Sequence, residues 1–426
     1  MLSEVTARDV KGHMDVLAVK IGTRMAGTPG EFEAARYVER QFKKYGLTRI
    51  KQELFPCASW SCKTASFSIR DGKRWRKIDC IPLAHSKCTK GKVEAELVYL
   101  ETASERDLRG KDLKGKIGLI FGGFGDKPSK YVKLLKAGMV ALVLVDARLP
   151  FTWPVAMGMS RYWKRLGRQT GLSISYFDAW HIVKKGINRA RIEIDVRVKN
   201  TKSPNVVGVV KGTSPEIITV TGHLDSVYGN VGAEDDGSGT ICVLELARLF
   251  GGATPRRTIR FITVGTEEQL SEGSKHYVLR HKKEMRKIVF NLNTDSIGSW
   301  MGINEVFVAG GKDLERYANR MMDKTGFNGQ VKRDICPFSD QFPFNMFGVP
   351  SLWFHRSNCP GGRWYHHSKY DAPGVLSNDL IARTINTQAA ILEDLANRPT
   401  LPFKRAIPAD QKKFVNIYKR DLYGLK

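Results

Sequence analysis

From Asn205 onward the chain repeats one pattern: a run of continuous β-branched and apolar residues, a loop, then a stretch of helical character. The runs are EIITVTG (216–222), RTIRFITVG (257–265), KIVFNLN (287–293) and VPSLWF (349–354), with a helix from about Gly239 to Phe250 after the first. Strands that do not alternate with polar residues are buried on both faces, and strands that alternate with helices pair in parallel. The pattern therefore predicts an α/β fold, a mostly parallel sheet with helices on both faces. In such sheets ligands gather beyond the carboxyl ends of the strands, so the residues just past each run are where chemistry is expected.

Those residues are of one kind. TGHLDS supplies His223 and Asp225, GAEDDGSG supplies Asp235 and Asp236, VGTEEQ supplies Glu267 and Glu268, NLNTDSIG supplies Asp295, and WYHHSKYD supplies His366 and His367. Each segment alone reads as an ordinary surface or capping group. Their placement at successive strand ends gives them joint meaning. Imidazoles with several carboxylates suit zinc, and a surplus of carboxylates able to bridge suits two ions about 3.5–4 Å apart.

Upstream, TPGEFEAARYVERQFKKYG (28–46) predicts a helix, with Thr28 and Glu31 spaced as a capping box, Pro29 at the first helical position and Gly46 as the stop. Ala35, Val38, Phe42 and Tyr45 fall on one stripe, so this helix covers a core. Between Ser59 and Lys199 the texture changes to short strands and turns: VEAELVYL (93–100), GKIGLIF (115–121), a helix near 130–137 and ALVLVD (141–146). This stretch reads as a separate, inserted domain. Gly122-Gly123-Phe124-Gly125 lacks the spacing of a phosphate or dinucleotide loop and reads as a plain turn.

The chain has 426 residues, room for two or three units, and its 69 Lys and Arg against 43 Asp and Glu leave a formal charge of +26. The excess is regional, since residues 57–200 hold 29 basic against 13 acidic residues and so carry +16 of it. The densest stretches, 74–77 and 161–165, interleave aromatic and basic residues. With no nucleic-acid motif beside them they read as solvated faces, an acidic peptide being the alternative partner. No nucleic-acid or membrane partner is expected. The longest apolar stretch, 137–145, is too short to span a bilayer and the N-terminus lacks a signal-peptide pattern. Seven cysteines without a CxxC pair fit reduced thiols, and the location expected is the cytoplasm.

In order and spacing, HLDSV, an Asp twelve residues after that His within GAxDDGSG, the Glu pair, NxDSIG and a final HxxxD resemble the co-catalytic zinc aminopeptidases and glutamate carboxypeptidases, metallopeptidase family 28. The likeness covers residues 1–56 and 200–395. The run from Asp112 to Asp146 resembles the protease-associated domain, an insert common in that family. The resemblance implies a phosphorylase/hydrolase-like peptidase domain from residues 1–58 and 200–426, and a mainly-β protease-associated lid at 59–199. It implies two zinc ions, replaceable by cobalt or manganese. His223, Asp235 and Asp295 would hold one, and Asp235, Glu268 and His367 the other. Glu267 would be the general base and Asp225 would orient the imidazole of His223.

His367 rather than His366 fits the ligand position because Asp371 lies four residues after it, while His366 would either donate to the oxyanion or support its neighbour. Arg356 and Arg363 are candidates for binding a substrate carboxylate. The chain departs from the family at Leu270 and Ser271, where Gly-Leu is frequent, and at Ser339-Asp340-Gln341, where the third residue is frequently His. The expectation is a dinuclear zinc exopeptidase acting on peptides, most simply an aminopeptidase. A carboxypeptidase, a glutaminyl cyclase-like acyltransferase and a non-catalytic receptor-like homologue are the alternatives, and oligomeric state is left open.

Overall fold

The computed structural model describes residues 3–124, 128–148, 150–158, 163–359 and 363–425. The chain divides into two compact units, one of Met1–Cys57, Thr201–Cys359 and Lys369–Lys426, the other of Ala58–Asn200 with Pro360–Ser368.

In the first unit the sheet runs, in spatial order, Gly329–Arg333, Ile303–Ala309, Ser351–Ser357, Ile288–Thr294, Ile217–His223, Thr258–Val264 and the end of Arg189–Val210. The four strands from Ser351–Ser357 to Thr258–Val264 are parallel, flanked on each side by an antiparallel neighbour. Ile217–His223 and Ile288–Thr294 are buried at every position, as their unbroken apolar runs require. One face is covered by helices Ala7–Met14, Pro29–Lys44, Gly239–Phe250 and Asn378–Asn397, with Val38, Phe42, Leu244 and Leu392 packed with Val220, Phe261 and Leu292. On the other, Tyr277 and Val278 of Glu272–Arg280 and Phe344 of Gln341–Asn345 meet Ile217, Ile262 and Ile288. The register pairs His223 with Val264 and Thr221 with Asn293, so the strands end level and their following loops emerge together.

The helix expected over 28–46 spans Pro29–Lys44, with Gly46 at φ 77° beyond its end. Its capping box does not form. Thr28 gives its hydroxyl to the Met25 carbonyl, and the buried Glu31 carboxylate instead accepts from the Gly27 N–H at 2.6 Å and the Ser203 hydroxyl at 2.6 Å. A buried carboxylate is stabilised more by two inward donors than by a solvent-facing cap. The basic C-terminal segment forms helix Ala409–Asp421, and Val415, Leu422 and Tyr423 pack with Ile335 and Phe342.

The second unit has more strand than helix, yet its core is a parallel series, Val93–Tyr99, Ile117–Phe121, Ala141–Val145 and Gly171–Ile174, with helices Pro128–Lys136 and Tyr176–Lys184 in its connections and after its last strand. The aromatic–basic run at 74–77 is used within the unit: Trp75 lies under the guanidinium groups of Arg191 (3.8 Å) and Arg70 (5.9 Å), and Arg76 pairs with Asp178. Gly122 has φ 92° and Phe124 enters the core, consistent with a turn; Gly125 lies outside the described residues, as do Arg161 and Tyr162 of the second run. Among the described residues, no helix is long and apolar enough to cross a membrane.

Candidate metal centre

The centre is built at the ends of the parallel strands. His223 closes Ile217–His223; its N–H donates to Asp236 Oδ2 (2.9 Å) and its carbonyl accepts from Thr240 Oγ1 (2.6 Å). Held by its backbone, the ring turns Nε2 toward Asp235 Oδ1 at 3.0 Å and Asp295 Oδ1 at 4.0 Å. Nδ1 faces the Asp225 carbonyl at 3.1 Å and the Asp225 carboxylate at 3.6 Å. That carboxylate is engaged elsewhere, accepting the N–H groups of Glu267 (2.8 Å) and Glu268 (3.3 Å). Asp225 thus orients the imidazole chiefly through its own backbone and ties the Glu pair to the histidine loop.

The two aspartates of GAEDDGSG do different work. Asp236 spends its carboxylate on the N–H groups of His223, Gly239 and Ser296, binding both ends of its own 223–239 connection to the loop after Ile288–Thr294. Gly239 is required beside it, since a Cβ there would lie 2.2 Å from the Asp236 carboxylate. Asp235 is the one aimed at His223. Its loop is fixed from below by Asp371, whose carboxylate accepts from Glu234 N (2.7 Å) and Asp235 N (3.1 Å). Asp295 is oriented by two hydroxyls, Ser296 to Oδ1 (2.8 Å) and Ser339 to Oδ2 (2.7 Å).

Around one imidazole the fold buries the carboxyl groups of Asp225, Asp235, Asp236, Asp295, Glu267 and Asp340. Burial alone would lower the His223 pKa, but the carboxylates of Asp236, Asp225, Asp235 and Glu267 hold it well above the usual histidine range. Burial pushes Glu267 well above the ordinary carboxylate range, with Asp340, Asp295 and Glu268 adding repulsion against the opposing pull of His223, and burial lifts Asp340 to about 7. Buried like charges of this number are costly unless a cation joins them. The fully buried guanidinium of Arg24 opposes part of this charge, with Asp371, Asp236, Asp225 and Asp235 as its partners in charge. One imidazole nitrogen, oriented carboxylate oxygens and excess negative charge make a donor set that fits a divalent ion such as zinc.

The structure thus brings together His223, Asp235 and Asp295, and links Glu267 and Glu268 to them through Asp225. Arg356 is directed into the fold, donating to the carbonyl of Ser299 (2.6 Å) and to Asn304 Oδ1 (2.6 Å), so it braces the 299–304 loop. Arg363, His366 and His367 belong to the second unit. There Arg363 meets His366 Nδ1 at 2.5 Å, the two imidazoles stack at 3.6 Å, and His367, at φ 57°, turns Nδ1 to the Ala156 carbonyl at 3.2 Å. Gln341 is buried and accepts from Asn293, which in turn reaches Ser339. Sequence reasoning missed Arg24, the pairing of Glu31 with Ser203 and the bond from Ser339 to Asp295; no spacing in the sequence marks these contacts.

Residues 205–392 match the model of Peptidase family M28. Aminopeptidase YwaD of Bacillus subtilis (strain 168) is 28% identical over 368 residues, spanning 82% of this chain and 76% of that protein. Carboxypeptidase Q of Xenopus laevis is 25% identical over 374 residues, spanning 83% and 79%. Among solved structures, a Peptidase M28 precursor from Shewanella amazonensis SB2B superposes with a TM-score of 0.79 at 22% identity, over 94% of this chain and 97% of that one. The zinc aminopeptidase BSAP from Bacillus subtilis superposes with a TM-score of 0.76 at 24% identity, over 96% and 98%.

Proposed function

We propose that this chain is a zinc-dependent metallo-exopeptidase, and specifically an aminopeptidase. The observation that carries the reading is the convergence of His223 Nε2 with the Asp235 and Asp295 carboxylates inside a pocket of surplus buried negative charge. Relatives named aminopeptidase and carboxypeptidase support the exopeptidase class. In our assignment His223, Asp235 and Asp295 hold one zinc, while Asp235, Glu268 and His367 hold a second. The place of His367 in this set rests on the HxxxD pattern of the sequence.

When bound, two zinc ions acidify a water and polarise the scissile carbonyl. This chain's own residues do the rest. Glu267, buried and repelled by neighbouring carboxylates, is a basic carboxylate suited to taking the proton of the attacking water and returning it to the leaving amine. Asp225 keeps the His223 ring turned so that Nε2 faces Asp235 and Asp295. His366 is assigned to the oxyanion or to support of His367. We assign 59–199 as a protease-associated lid and place the protein in the cytoplasm.

The full ligand set with a separate Glu267 favours a dinuclear hydrolase over a cyclase or a receptor-like homologue. Zinc content after dialysis tests the assignment: His223→Ala and Asp295→Ala are expected to lose bound metal and turnover. Wild-type zinc in both variants would remove the basis of the reading.

A further inference from the structure

Ser271 stands where the sequence departs from the family pattern, and its side chain turns to the site. It is fully buried, and its hydroxyl donates to Glu267 Oε1 at 3.0 Å while its N–H donates to the Glu267 carbonyl at 2.7 Å. Ser271 and Leu270 both have left-handed backbone, φ 47° and 70°, so the chain doubles back immediately after the Glu pair. That reversal lays the residue at 271 against the carboxylate four positions earlier. Gly273 allows the next helix to approach closely, because a Cβ there would lie 2.1 Å from the Gly265 carbonyl.

Behind Ser271 stands Tyr423, from the end of the basic C-terminal segment. Its ring packs on Phe342 with centroids 5.1 Å apart, and its hydroxyl donates to the Pro337 carbonyl at 2.8 Å and lies beside the Ser271 side chain. With the Tyr423 proton given to Pro337 and the Ser271 proton to Glu267, Tyr423 supports Ser271 by its anchored position. A Glu side chain has three torsions to fix, and a hydroxyl locked in place against one oxygen fixes them.

We infer that Ser271, backed by Tyr423, is a positioning residue that sets the orientation of the Glu267 carboxylate, making the C-terminal segment part of the catalytic apparatus. The inference rests on the proposed role of Glu267.

Glycine accepts the backbone of residue 271, so Ser271→Gly removes the hydroxyl without strain. Its kcat is expected to fall about tenfold or more, with KM and zinc content unchanged, since small misplacements of a reacting group carry losses of that order. Ser271→Cys, nearly isosteric and with a weaker S–H donor, should recover part of the loss. Tyr423→Phe, which loosens the ring by removing its bond to Pro337, should cost about threefold alone and nothing further in the Ser271→Gly background, because it acts on Glu267 through Ser271. A readout independent of turnover is the crystal structure of the metal-free protein: one Glu267 rotamer in the wild type, a shifted or split one in Ser271→Gly. Wild-type kcat with an unmoved Glu267, or a loss of activity explained by lost zinc, would overturn the inference. Full activity in Glu267→Gln would instead overturn the reading of Glu267 itself.

Discussion

The guanidinium of Arg24 donates to the carbonyls of Leu17, Gly22, Leu224, Val231 and Gly232, so one buried side chain spans the loop after His223 and the loop before Asp235. It also opposes the charge of Asp371, Asp236, Asp225 and Asp235. Removing one member of such a buried set leaves the others uncompensated. Arg24→Met is expected to cost about 3–5 kcal/mol and to weaken zinc retention, read by thermal unfolding and metal analysis; wild-type stability would show that these carbonyls find other donors. Glu267 is the opposite case, a residue to which we assign chemistry and little structural burden. Glu267→Gln should keep zinc and fold while turnover drops roughly 10²–10⁴-fold, the span of general-base contributions. Turnover within a few fold of wild type would exclude it as the base.

At the scale of elements, the strands of the peptidase unit and the helices at 29–44 and 239–250 were legible, because burial on both faces writes itself as unbroken apolar runs. The strand ends that carry the proposed ligands stood out for the same reason: a polar residue that terminates such a run is conspicuous. What was not legible depends on partners distant in sequence. Glu31 has the spacing of a cap, but Ser203 and the Gly27 N–H claim it. Asp225 has the spacing of an imidazole partner, but its carboxylate reaches two N–H groups more than 40 positions away. Arg24 gave no signal because a lone arginine in a loop has no period, and the motif that contains Ser339 did not show that its hydroxyl reaches Asp295. In the second unit a turn carries a further consequence. His85, buried at φ 62° and stacked on Trp163, is held down to about pKa 4 by burial. The unfolded ring binds its proton near pH 6.5, so stability is full above that value and declines as the pH falls toward 4, by about 3 kcal/mol in all. His85→Asn, which tolerates the same backbone, should flatten the dependence of unfolding temperature on pH between 4 and 6.5. An unchanged slope would assign it to other groups.

For the whole molecule, the sequence divides its labour by unit: the peptidase unit concentrates buried acid around His223, while the stretch 57–200 carries most of the basic excess. Part of that excess is structural, as the Arg70–Trp75–Arg191 stack and the Arg76–Asp178 pair demonstrate. The central claim concerns what the acid-lined centre does to a peptide. Its most direct test is mass spectrometry of a peptide mixture, half with free and half with acetylated N-termini, incubated with zinc-loaded protein and with Glu267→Gln. The account predicts stepwise shortening from the N-terminus of the free-amine peptides alone, by the wild type alone. Trimming from the C-terminus, pyroglutamate formation from N-terminal Gln, or no change at all in zinc-loaded protein would contradict it.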